Sequence, residues 1–373
     1  MTALNSTGAP ITALHAAAYR IPTDNPEADG TYAWDATTLV VVHVDSEAAS
    51  GLGYTYADAA AVPLIDGLLR KATEGRDSFD IPGAWMAMQM NVRNLGRSGI
   101  VACAISAIDA ALWDLKARAL DLPLASLLGR CRDRVPIYGS GGFTTYSNEQ
   151  LKVQLASWVE RDGCRFVKMK IGSDPERDPE RVMQAKSAIG DHELFVDANG
   201  AFSVKQALEF TERCPDADIR WFEEPVTSDD LPSLRVMRER APDAMEIAAG
   251  EYIYTSDDAR RMLEGDAVDV LQADATRCGG ITGFLQIGAL CEAHHIDLSA
   301  HCAPAIHRHI GCAVPRLRHL EWFHDHVRIE QMLFDGAPVA RDGVIEPDLS
   351  RPGHGIEFKR QDAERFRING TAQ

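Results

Sequence analysis

From Val135 onward the chain repeats one unit. Short apolar runs begin near Val135, Phe166, Glu193, Ile219, Glu246, Val268, Ile296 and Leu317, each followed by a polar turn and a helix-period segment. Their spacings are 31, 27, 26, 27, 22, 28 and 21 residues, a pitch of roughly 26 that alternates strand with helix and therefore builds parallel βαβ units. Eight near-equal units predict an α/β fold with a closed barrel rather than an open doubly wound sheet. No glycine-rich GxGxxG follows any of these strands, which removes the main signature of the open alternative. Pro304 and Pro315 bracket the last connection and are expected to leave too little room for a full regular helix.

The first third has another rhythm. Residues 11–19, 37–46 and 51–55 read as strands, the second rich in β-branched side chains. Pro22 to Thr31 reads as a polar Pro/Gly loop between the first two. Val101, Ile105, Ile108, Leu112, Leu115 and Leu120 recur at helical spacing between Gly99 and Pro123, predicting a helix over Ile100–Leu120. Strands followed by helices describe a small α+β domain.

Charge removes several functions. With 38 basic and 55 acidic side chains the net charge is −17, so phosphate is repelled and no basic stripe offers a nucleic-acid surface. No apolar run approaches the roughly 20 residues of a membrane span, and Met1 to Pro10, with neither a basic n-region nor an apolar h-region, is expected not to be an export signal. Eight scattered cysteines without a CxxC pair read as the reduced thiols of a cytoplasmic protein. His294–His295, His307/His309 and His324/His326 suggest a transition metal. Lacking a Cys or Glu partner at zinc-like spacing, they are expected instead to be surface or helix-end histidines. The surplus carboxylates serve either solubility or a divalent cation.

Active sites of such barrels lie at the C-terminal strand ends. Reading those ends in order gives Lys168 and Lys170, then Asp197, Glu223–Glu224, Glu251, Asp274, His301 and Glu321. Isolated helix caps would include Ser, Thr and Asn and would not converge on one space. Asp197, Glu223 and Glu251 form an oxygen-only set suited to Mg²⁺, and without a cation their repulsion raises at least one pKa. Lys168 and Lys170, two apart, point to one side, and two like charges held close, near a metal, are expected to lower an amine toward a useful base. Asp274 is placed to orient His301. Glu321 is expected to be protonated and to bond a substrate carboxylate, unless Arg316 or Arg318 claims it. Two bases flanking a metal-held carboxylate can remove an α-proton to give a stabilised enediolate, then invert the centre or expel a β-hydroxyl.

These residues resemble the motifs of the enolase superfamily, and within it the mandelate racemase subgroup. The resemblance implies a (β/α)7β barrel with an α+β capping domain formed by the N-terminal third and the C-terminal tail. Divided on that basis, residues 1–134 are the capping domain, 135–325 the catalytic barrel, and 326–373 the segment returning to the cap. It implies Lys170 as base, Asp197, Glu223 and Glu251 as ligands of one Mg²⁺ per subunit, a His301–Asp274 dyad, and Glu321 as the acid after the last strand. Asn199 falls where the subgroup places a polar residue near the substrate. The family's lid corresponds to residues 22–31, where Asp24 and Asn25 suit hydroxyl groups better than a phenyl ring. The expected activity is dehydration of an aldonic or aldaric sugar acid. A racemase or epimerase of a 2-hydroxy acid is the alternative, and a non-catalytic binding protein a remote one. The expected partners are a small carboxylate substrate and further copies of the chain, dimer to octamer, with neither nucleic acid nor membrane.

Overall fold

Residues 8–368 are described by the computed structural model; Met1–Thr7, most of the stretch read for an export signal, lie outside them. The chain enters through an antiparallel sheet of β1 (Ile11–Ala28), β2 (Ala33–Ser46) and β3 (Ser50–Tyr56). The run Leu39–Val44 is almost continuously apolar because both of its faces are covered. Val40, Val42 and Val44 pack with Ile105, Ile108 and Leu112 of the helix Ile100–Ala119, while Leu39 and Val41 join the core shared with the barrel. This helix matches the sequence expectation to within a residue.

The stretch Pro22–Thr31 is not simply a loop. β1 runs on to Ala28, with an irregularity between Pro22 and Glu27, and pairing resumes at Glu27↔Trp34 and Ala28↔Ala33. Pro22 and Pro26 cannot donate to the ladder, which accounts for the break. The arm is re-anchored beyond it: the Trp34 indole donates to Glu27 at 2.7 Å, and Thr144 N–H donates to Ala28 O at 2.9 Å. The hairpin therefore reaches over the barrel mouth.

Eight parallel strands close the barrel: β4 (Val135–Gly141), β5 (Phe166–Lys170), β6 (Glu193–Asp197), β7 (Ile219–Glu223), β8 (Glu246–Ala249), β9 (Val270–Ala273), β10 (Asp297–Ala300) and β11 (Leu317–Phe323). Closure comes from β11 pairing with β4, Leu320↔Ile137 through Phe323↔Ser140. Six starts coincide with those read from the sequence, and β9 and β10 begin two and one residues later. The last connection holds a ten-residue helix, Pro304–Ala313, against expectation. Proline at a first helical position is already set for the turn, so Pro304 starts this helix instead of excluding it. Past β11 the tail turns back: Val344–Ile345 pairs with β4, Phe358 packs on Tyr19, and Ile368 N–H donates to Ala18 O at 2.9 Å. The small domain is thus built from both ends of the chain. All eight cysteines are free, and no helix among the described residues is long and apolar enough to cross a membrane.

Candidate active site

Strand alternation builds the site in layers. Tyr138, Phe166, Phe195, Trp221, Ala248 and Val270 form a packed inner cluster, with the His319 ring 5.3 Å from Trp221. Two residues further along six of the strands the inward position turns polar: Ser140, Lys168, Asp197, Glu223, Gln272 and Glu321. Lys170 and Asp274 sit one further step up, and His301 is two beyond the buried Ser299. Glu251 has the opposite parity to Ala248. Gly250 resets it: its φ is +137°, and a Cβ there would lie 2.1 Å from Gln272 O. Only glycine accepts that backbone beside a neighbouring strand.

The strand-end residues are all buried and in mutual contact. Lys170 donates to Asp197 at 2.6 Å, and Lys168 to Glu223 at 2.7 Å and Glu321 at 2.8 Å. Trp221, from the layer below, donates to the second oxygen of Glu223 at 3.0 Å. His301 Nδ1 lies 2.9 Å from Asp274, while its Nε2 lies 2.9 Å from Glu251 and 3.4 Å from Glu321. Thr276 fixes Asp274 through its N–H at 2.7 Å and its hydroxyl at 2.8 Å. Asn199, in the left-handed region at φ 46°, faces Glu251 at 3.4 Å.

Electrostatics departs from the sequence expectation in two places. Burial favours neutral Lys170, but Asp197, Glu251 and Glu223 together outweigh burial and Lys168 and hold the ammonium above the usual lysine range. Lys168 does lower the Lys170 ammonium, as the pairing of like charges requires, but the surrounding carboxylates exceed it while no cation offsets them. Burial likewise favours neutral Glu321, yet Lys168, His301 and Lys170 hold it well below the carboxylate range, the direction opposite to the protonated form expected from the sequence. Ser140 also donates to it, at 2.5 Å. Neither proposed arginine reaches it: Arg316 pairs with Asp297, and Arg318 with Glu246 and Asp297. The carboxylate repulsion anticipated from the sequence is present. Burial and Asp197 push Glu223 up to about 8, and burial with Glu251 and Asp197 pushes Glu224 well above its ordinary value.

The histidine clusters resolve individually. His294 and His295 are exposed as expected, but His307, His309 and His326 are buried. His307 braces the dyad from behind, accepting from Ala275 N–H at 3.0 Å and donating through Nδ1 to Cys302 O at 2.7 Å. His324 pairs with Asp24 at 3.0 Å.

A cleft of about 590 Å³ opens beside these strand ends, lined by Thr31, Ser98, Asn199, Glu224, Thr227, Ser228, Tyr252 and Tyr254 among others. Its walls combine the hydroxyl-bearing Thr31, Ser98, Thr227, Ser228, Tyr252 and Tyr254 with Asn199 and the carboxylates of Glu224, Asp229 and Asp258. Asp24 and the exposed Asn25 do not line it; the hairpin contributes Thr31 instead. Gly30 holds the hairpin tip against the strand ends, since a Cβ there would meet Ala198 O at 2.4 Å and Ile171 O at 2.6 Å. Sequence reasoning passed over Ser140, which the inward register of β4 identifies, and gave no role to Glu224. Thr31, Ser98 and Thr227 carried no signal, because they meet only in the folded chain.

Residues 150–363 match the enolase C-terminal domain-like family, and residues 19–129 match the mandelate racemase/muconate lactonizing enzyme N-terminal domain. The chain belongs to the mandelate racemase/muconate lactonizing enzyme family of the enolase superfamily. A member of known structure from Rubrobacter xylanophilus, described as mandelate racemase/muconate lactonizing enzyme-like, superposes with a TM-score of 0.94. It is 48% identical over 96% of this chain and 100% of that one. The 3,6-anhydro-alpha-L-galactonate cycloisomerase of Streptomyces coelicolor is 32% identical over 92% of this chain and 96% of its own. The L-talarate/galactarate dehydratase of Salmonella typhimurium is 34% identical over 77% of this chain and 73% of its own. The structure of that dehydratase with Mg and L-lyxarohydroxamate superposes with a TM-score of 0.89, at 28% identity over 99% of this chain and 95% of that one. Within the family, this member's strand-end lysines, carboxylates and histidine are those described above.

Proposed function

We propose that this family member is a Mg²⁺-dependent sugar-acid dehydratase acting by α-proton abstraction. One observation carries the reading. Around the barrel, Lys170 on β5 and the His301–Asp274 pair on β9 and β10 flank the three intervening strands that present Asp197, Glu223 and Glu251. A carboxylate substrate held at the middle strands has a base on either side.

The residues fit a hard divalent cation. Asp197, Glu223 and Glu251 offer only carboxylate oxygen, the donor type of Mg²⁺. Close by, Glu224 Oε1 and Asn199 Oδ1 are buried without a hydrogen-bond partner. Burial and the neighbouring Asp197 both raise Glu223, and a cation held between these carboxylates would relieve that. Bound by these carboxylates, the ion supplies charge stabilisation to the substrate carboxylate as the α-proton leaves, and it offsets the negative charge that keeps Lys170 protonated.

Lys170 takes the proton from one face of the substrate and His301 Nε2 from the other. Asp274 accepts from His301 Nδ1, which leaves Nε2 directed at the reacting centre. The protonated imidazole then supplies the proton that departs with the 3-hydroxyl as water. The cleft supports a polyhydroxylated substrate over a phenyl-bearing one, because its hydroxyl lining can exchange hydrogen bonds with sugar hydroxyls. Dehydratase activity toward sugar acids also appears among the relatives. A second reading rests on the same two bases, which equally suit 1,1-proton transfer by a racemase or epimerase.

The test is incubation with Mg²⁺ and a panel of aldonic and aldaric acids, assaying 2-keto-3-deoxy products while α-proton exchange is followed by NMR in D₂O. A keto product from at least one acid is expected. Exchange or inversion without keto product replaces the dehydratase by the racemase, and absence of both refutes the two-base reading.

A further inference from the structure

Cys302 has no part in the chemistry above, yet it is 2% exposed and lies against the proposed base. Its Sγ is 3.3 Å from His301 Nε2 and 3.4 Å from Glu321 Oε2, and those two atoms are 3.4 Å apart. Nitrogen, sulfur and oxygen thus form a nearly equilateral triangle. Tetrahedral Zn²⁺, with bonds of about 2.0–2.1 Å to nitrogen, 2.3 Å to sulfur and 2.0–2.2 Å to oxygen, separates such donors by about 3.4–3.6 Å. The triangle has the dimensions of one face of that tetrahedron.

Two further observations point the same way. Adjacent side chains on an extended strand point to opposite faces, but Cys302 has a φ of +52°, and the turn brings its sulfur to the same side as the His301 ring. Left-handed backbone is costly for a residue with a Cβ, and Ala303 shares it at φ +43°. His301 also has the outer partner that metal-bound histidines use, with Nδ1 held by the Asp274 carboxylate. Glu321 divides its oxygens. Oε1 takes Lys168 and Ser140, and Oε2 faces the sulfur. The remaining polar contact at His301 Nε2 is Glu251, which a cation there displaces.

We propose that His301, Cys302 and Glu321 form a site for a thiophilic divalent cation, Zn²⁺ being the fitting one, with a donor set different from that of the all-oxygen cluster it borders at Glu251. A thiolate donor selects zinc-like ions over Mg²⁺. Binding releases the thiol proton to solvent, and thiolate and carboxylate together neutralise the ion. Occupation ties up His301 Nε2, so the site makes this protein susceptible to Zn²⁺ inhibition that added Mg²⁺ does not relieve.

The experiment uses the full-length protein saturated with Mg²⁺ and titrated with Co²⁺ as a spectroscopic probe. One equivalent is expected to bind with an intense near-ultraviolet thiolate-to-cobalt band that stoichiometric Zn²⁺ removes. Cys302→Ser and Cys302→Ala are expected to lose the band and to weaken Zn²⁺ binding by more than the roughly 10- to 100-fold that loss of a ligand's outer partner costs. X-ray absorption of the wild-type Zn²⁺ adduct should show one sulfur among nitrogen and oxygen neighbours, a measurement that needs no variant to fold. No bound equivalent, a cobalt spectrum without the thiolate band, or unchanged Zn²⁺ affinity in both variants overturns the site. None of these readouts involves a substrate, so their failure is distinct from failure of the dehydratase reading.

Discussion

Replacing Gly250 by alanine tests whether the backbone reversal ahead of Glu251 is what turns that carboxylate into the barrel. The added Cβ would sit 2.1 Å from Gln272 O and 2.9 Å from Gln272 C and N. Ordinary contact begins near 3.4 Å, so the deficit is about 1.3 Å, and the obstacle is the backbone of a paired strand rather than a side chain that can rotate. β8 and β9 are joined there through Ala248↔Val270 and Ala249↔Leu271, so relief requires them to part. Overpacking of this kind costs about 1–3 kcal/mol, and a non-glycine residue at φ +137° adds about 1–3 kcal/mol. The expected loss is therefore about 2–6 kcal/mol, against a typical domain stability of about 5–15 kcal/mol. Glu251 should shift with the strand, and a displacement of about 1 Å at such a site costs roughly a hundredfold in rate. Urea unfolding followed by tryptophan fluorescence, with Mg²⁺ titration calorimetry on the folded fraction, reads both effects. The control is Gly67→Ala in the helical turn Ile65–Leu69, where a Cβ has open space and should be neutral or stabilising by about 0.5–1 kcal/mol. A Gly250→Ala protein within about 0.5 kcal/mol of the parent, with unchanged Mg²⁺ affinity, would refute the reasoning.

Lys170→Ala and His301→Asn should each remove α-proton exchange from one face of the substrate by about a thousandfold while the other face persists, read by NMR on a pair of C2 epimers. Equal loss on both faces from either variant contradicts the flanking arrangement. Trp221→Phe keeps the ring packing but deletes the 3.0 Å donor to buried Glu223, and should lower stability by about 1.5–3 kcal/mol in the same urea assay. Glu330 accepts from the Tyr54 hydroxyl and from Ala305 N–H at 2.9 Å, and burial raises it to about 8. Its folded pKa exceeds the unfolded value near 4.5. Its contribution is therefore fully present below pH 4.5 and falls away as pH rises through 8, by up to about 5 kcal/mol. Glu330→Gln should be more stable than the parent at pH 8.5, with a flatter Tm profile between pH 5 and 8. A steeper profile contradicts the assignment.

The strand-end residues were legible because two periodicities coincide in this chain. The pitch of roughly 26 residues locates each strand, and alternation along it places Lys168, Asp197, Glu223 and Glu321 two beyond an inward-facing Phe166, Phe195, Trp221 or His319. Protonation was not legible, because it depends on distances between strands. Nothing in the sequence near Glu321 announces that Lys168 lies 2.8 Å away. The helix Pro304–Ala313 was missed through reading its first proline as a breaker when it occupies a starting position. The polar composition of residues 22–31 concealed a strand, because its pairing is restored by Trp34 and Thr144, and Thr144 is more than a hundred residues away.

Sequence alone determined the barrel, the order of chemical groups around its mouth and the family, since each follows from residue type and spacing along one dimension. Tertiary structure decided what no spacing encodes. It set which carboxylates share a lysine, gathered Thr31, Ser98 and Thr227 around one cleft, and brought Cys302 to Glu321. Electrostatic and hydrogen-bonding energies depend on separation in space, and folding brings together groups such as Asp24 and His324 across 300 residues of chain.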